Sequence, residues 1–86
     1  MADEDHTTYS LRPIPGTPNY LIRHHAEGAP VVLVAEVVEH PEGYTLYRMD
    51  ATGVLGFGIP DPESALAHYE RWVRETGTEV TGVHEH

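Results

Sequence analysis

One stretch of this chain reads as a helix, and it lies close to the end, so a sheet built from the residues before it can be covered on one face at most. Asp61 is a good N-cap, Pro62 fits the first helical position, and Glu63 suits the positive end of the helix dipole. Ala65, Leu66, Tyr69, Trp72 and Val73 then recur at the spacing of one helical face, with Glu70 and Arg74 four apart on the other. Gly77 is placed to close the helix in the left-handed conformation.

The residues ahead of the helix are patterned for strands. Residues 19–25 alternate, with Tyr20 and Ile22 on one side and Leu21 and Arg23 on the other. Residues 31–40 hold five valines and a leucine on both faces, as a central strand would. Residues 44–49 make the next strand. In residues 54–59, Leu55, Phe57 and Ile59 are expected to face the helix, with Gly56 and Gly58 opposite. Two glycines on one face suit a bulge or the close approach of another backbone, and a strand crossing beneath a neighbouring ring more readily than a ligand groove.

The connections at 26–30, 40–43 and 50–53 are hairpin-sized and rich in turn formers, which leaves antiparallel pairing as the easy arrangement. The expected fold is α+β: an antiparallel meander of three to five strands with one C-terminal amphipathic helix packed on one face. Residues 1–18, with Pro13, Pro15 and Pro18, are expected to form a polar, proline-rich arm, within which 8–12 suit a short edge strand. Residues 19–83 form the single domain, 78–83 suit a last edge strand, and 84–86 are a polar tail.

With 86 residues the chain has room for one domain, and burying roughly 60–65% of its unfolded surface gives it a modest core that association would support. The absence of cysteine excludes disulfides, thiolate metal sites and cysteine nucleophiles. Fourteen Asp and Glu face five basic residues, all arginines (Arg12, Arg23, Arg48, Arg71 and Arg74), for a formal net charge of -9. That balance supplies no basic stripe for nucleic acid and disfavours anionic membranes, whereas it favours encounter with a basic protein. The acidic start lacks the basic and apolar regions of a signal peptide, and the longest apolar run, 31–35, falls far short of a membrane span, so a cytoplasmic location is expected.

Catalytic signatures are absent. Ser10 and Ser64 lack a nucleophile-elbow context, and the glycines of residues 53–58 do not follow the order of a dinucleotide-binding loop. Glu36 stands among valines in the central strand, where it reads as an outward residue paired with Arg23 or Arg48 more readily than as a general acid. Of seven histidines, adjacent His24 and His25 point to opposite faces, while His6, His40 and His68 are scattered. His84 and His86 are the only pair spaced to share a face, a weak metal candidate. No cofactor is implied. A ligand or metal site using His24, His40 or the His84/His86 tail, and an enzyme site completed across a dimer by Glu36, His24 or His68, are the alternative readings.

Tyr44 and Tyr47 fall on opposite faces of one strand, so one of them lies away from the helix. Together with Tyr20, Arg23, Glu36 and Arg48, Tyr44 gives the expected contact set, an interface-like composition on a sheet face that must meet water or a partner. A protein partner, a basic one by charge, and a homodimer are both expected, with no direct contact to nucleic acid.

The order of motifs from 31 to 73 resembles the antitoxin domain of the HicB-like family. The run Pro41-Glu42-Gly43-Tyr44-Thr45-Leu46-Tyr47 leads into Asp50-Ala51-Thr52-Gly53-Val54-Leu55, then Gly58 and a helix opening Asp61-Pro62-Glu63-Ser64-Ala65-Leu66. The chain departs from the family in having thirty residues ahead of this segment and no DNA-binding segment after it. The resemblance implies a protein-binding role, masking a small basic ribonuclease toxin, with no catalysis of its own.

Overall fold

The computed structural model describes residues 7–49, 53–77 and 82–84. In chain order the elements are β1 (Thr7–Pro13), β2 (Tyr20–Ala26), β3 (Val32–His40), β4 (Gly43–Arg48), β5 (Val54–Ile59), α1 (Pro62–Thr76) and β6 (Val83–His84). Strands β1 to β5 pair in sequence order, each antiparallel to the next, while β6 pairs with the start of β3, beyond the last residue of β4. The fold is therefore the expected α+β meander with one helix. The hairpin connection expected at 50–53 and the strand expected at 78–83 lie largely outside the described residues.

The edge strand expected at 8–12 is present and extends one residue further at each end. Thr7–Pro13 is a full edge strand in unbroken register with β2, from Thr7 opposite Ala26 to Pro13 opposite Tyr20. Proline at the end of an edge strand removes no interior ladder bond. Pro15 and Gly16 then occupy the central positions of a turn in which Thr17 N–H donates to the Ile14 carbonyl at 3.1 Å, and Gly16 takes φ 79°, as a type II turn requires. Residues 7–13 thus belong to the sheet.

The helix is capped as its sequence predicts. Asp61 is extended and accepts the Ser64 N–H at 2.7 Å, and left-handed Gly77 donates its N–H to the Val73 carbonyl at 2.9 Å. Its buried residues, Ala65 and Tyr69, join Ile22, Val34, Ala35, Val37, Leu46 and Ile59 in the core, with Leu66, Trp72 and Val73 packed around them.

A single helix reaches both edges of this sheet, approaching β4 and β5 on one side and β1 on the other. In a flat sheet β1 and β5 would stand four strand spacings apart, about 19 Å, yet adjacent helix residues reach both, Tyr69 against Tyr9 of β1 and His68 on the Leu55 carbonyl of β5. The sheet must therefore curl around α1. Bulges supply local bending and twist. In β3, Val34 is an extra residue between Leu33, opposite Arg23, and Ala35, opposite Ile22, so that Val34 and Ala35 are both buried. In β5 the register slips twice, once at Leu55 and once between Gly56 and Ile59.

Those slips overturn the simple alternation expected of β5. Leu55 and Ile59 pack inward, but Phe57 is 78% exposed. Left-handed Gly58 inserts the extra residue and turns Phe57 out to solvent. Gly56 instead faces the helix, where the His68 ring covers it so closely that a Cβ would lie 3.0 Å from Nε2. The measurable consequence is a contrast in denaturant stability. Phe57→Ser should change it by less than about 0.5 kcal/mol, as for an exposed side chain. Asp61→Ala should cost about 1 kcal/mol through loss of the cap. A loss above about 2 kcal/mol for Phe57→Ser would show that this ring is buried.

Candidate functional site

Outside the bulges, strand register sorts the paired strand residues onto the two faces. Three cross-strand rows line the hollow: Tyr9, His24 and Val32; Leu11, Ile22, Ala35 and Arg48; and Pro13, Tyr20, Val37, Leu46 and Gly56. The helix lies against these rows. Tyr69 meets Tyr9 edge-to-face with ring centroids 5.5 Å apart, Tyr69 and Trp72 follow at 5.8 Å, and the Arg48 guanidinium carbon sits 5.2 Å from the Trp72 ring centroid.

Two further rows cross the convex face. Arg12, Leu21, Glu36, Tyr47 and Val54 are successive register partners across all five meander strands. Ser10, Arg23, Leu33 and Val83 form the row beside it, running through β6. Ser10 Oγ and His25 Nε2 are 3.0 Å apart on this face. Val54 and Val83 are 52% and 51% exposed, while Leu21, Arg23, Leu33, Glu36 and Tyr47 are half-buried by their neighbours.

This geometry divides the contact set expected from the sequence. Arg23 and Glu36 share the convex face, in adjoining rows. Tyr20, Tyr44 and Arg48 belong to the other side: Tyr20 and Tyr44 pack against the core and Arg48 covers Trp72. Tyr44 stands near the helix start, and its phenol titrates above the usual 10.0 through partial burial and then the negative groups around it, Glu39, Tyr20, Asp61 and Glu63. The five residues therefore do not form one patch. Of the two tyrosines of β4, the one on the open face is Tyr47. Arg12, Leu21, Leu33 and Val83 complete the surface, and strand alternation could have placed Leu21 and Tyr47 there had the helix-facing side been known.

The histidines do not converge. His24 packs against Tyr9, with centroids 5.1 Å apart, while His25 bonds Ser10 on the opposite face. His68 Nε2 lies 2.9 Å from the Leu55 carbonyl and so donates to it. Among the described residues no three His, Asp or Glu side chains stand close enough to hold a metal ion. The expected His84/His86 pair falls outside this description, since residue 86 and the His84 side chain are not part of it. Ser10 and His25 make a hydroxyl–imidazole pair, but no oxyanion donors are defined beside them, and a nucleophilic site needs both. No helix among the described residues is long and apolar enough to cross a membrane.

No protein-family model, curated protein or solved structure matches this chain.

The His24 imidazole titrates below its ordinary value of 6.5, because burial disfavours the cation and the neighbouring His25 adds to the effect. The folded state thus resists a proton that the unfolded chain accepts. Stability is unaffected by His24 above pH 6.5 and falls as the pH drops from 6.5 towards the lowered folded value. Melting temperatures measured across that window should fall less steeply for His24→Phe, which keeps a ring beside Tyr9, than for the wild type. Parallel slopes would show that His24 does not contribute.

Proposed function

We propose that this chain is a small, acidic, non-enzymatic interaction module that binds a protein partner through the convex sheet face. The observation that carries this reading is the unbroken row Arg12, Leu21, Glu36, Tyr47 and Val54 across a face that the single helix leaves uncovered. Tyrosine and arginine among aliphatic side chains is the composition of interface centres, where large rings and planar guanidinium groups give up water at low entropic cost. Arg23 and Glu36 remain from the contact set expected from the sequence, and Arg12, Leu21 and Tyr47 join them.

The partner is a basic protein. The net charge of -9 steers such a molecule towards the chain, while the same charge on a second copy repels it, so a heterologous complex is favoured over the homodimer. The resemblance of residues 31–73 to the HicB-like antitoxin domain points the same way and makes a small basic ribonuclease one specific form of the partner. The location proposed for this work is the cytoplasm.

Affinity measurements on the complex retrieved from source cells test the assignment. Tyr47→Ala should weaken binding by at least about tenfold, as for a central interface tyrosine, and Arg23→Glu by a similar factor. Association should also slow as salt is raised. Retention of full affinity by both variants would overturn the assignment of this face.

A further inference from the structure

A groove of about 380 Å³ runs along the outer side of the helix, away from the convex rows, between β5 and the stripe Ser64, Ala67, His68 and Arg71. Two glycines line it. A Cβ at Gly58 would meet nothing within 4 Å, and Gly56 lets the His68 ring lie against the strand. The bond from His68 Nε2 to the Leu55 carbonyl tethers that ring, so it forms a fixed wall. Phe57, turned outward by the β5 bulge, stands at the rim, and Ile59, Pro60 and Ala67 add apolar surface.

The charge in this groove runs against the rest of the molecule. The chain has a net charge of -9, yet the groove lining contains no carboxylate and carries the Arg71 guanidinium, the His68 ring and the Ser64 hydroxyl. Arg71 makes no hydrogen bond or ion pair with another described residue. A guanidinium beside apolar walls suits a carboxylate joined to an apolar body, bound through a two-pronged contact at one end and ring or chain packing at the other. The groove volume lies towards the small end of the range for single small-molecule sites, about 300–1,000 Å³. A polyanion would be repelled by a molecule of net charge -9, so the ligand carries little charge.

We propose that this groove binds a small carboxylate with an aromatic or branched apolar body, held by Arg71 and packed against Phe57. Amide shifts of the full chain, followed by NMR during titration with phenylacetate and, separately, with neutral phenylacetamide, test it. Phenylacetate should give saturable shifts confined to residues 56–60 and 64–71, with phenylacetamide much weaker. Arg71→Gln should raise the phenylacetate Kd by about tenfold, the effect of losing a charge-assisted contact. Arg74→Gln, one helical step outside the groove, should leave it unchanged. The proposal fails if phenylacetate does not saturate at concentrations up to about 10 mM, well past the millimolar range of the weakest specific sites. It also fails if phenylacetamide shifts the same residues equally, or if those residues shift on dilution of the protein alone, which would assign the groove to a second copy.

Discussion

Tyr69 of the helix meets Tyr9 of the first strand, and His68 one position earlier bonds the Leu55 carbonyl of the fifth, so α1 fastens the two ends of the meander to each other. The other features follow from that fastening. For one helix to reach both edges the sheet must curl, and the bulges at Val34, Leu55 and Gly58 provide the bending. Curling encloses Ile22, Val34, Ala35, Val37 and Leu46 with few residues. It also manages the exposed edges of the sheet: β1 lies against the helix, while β5 is broken in register and has one carbonyl occupied by an imidazole. An edge of that kind resists adding another strand.

The same fastening produces two surfaces of different character. The hollow uses Arg48 and three aromatic rings to finish a small core. The convex side keeps Arg12, Arg23, Glu36 and Tyr47 in register across the sheet. Acidic residues gather elsewhere, with Glu39, Asp61 and Glu63 near Tyr44 and Glu27 in the turn after β2. In the proposed complex, long-range attraction and close contact would thus be carried by different parts of the molecule, with charge setting the encounter rate and the sheet face setting the fit.

Local chemistry was legible in the sequence wherever a few adjacent residues decide the outcome. The Asp61 cap, the Gly77 stop, the alternation of Tyr20 to Arg23 and the central position of the valine-rich strand all appear as expected. Bulges were harder to read, because an extra residue in one strand is defined by its partner. Phe57 looked inward by alternation, and Gly58 reversed it through a left-handed backbone that the sequence permits without requiring. The candidate site suffered most. Alternation shows that Tyr44 and Tyr47 oppose each other, but the choice of covered face depends on where a distant helix docks. Three members of the contact set, Tyr20, Tyr44 and Arg48, therefore lie on the helix side. The edge strand expected at 8–12 is present, and only its full extent, Thr7–Pro13, needed the register with β2 to be seen.

Side-chain footprinting with hydroxyl radicals, read by mass spectrometry, tests the central claim most directly, because it reports which face a partner covers. The protein alone should be compared with the complex retrieved from its own cells. Binding should protect Tyr47, Leu21 and Leu33 while Phe57 stays reactive. Protection of Phe57 and the outer helix with Tyr47 unchanged would contradict that claim, and would move recognition from the convex sheet to the groove side.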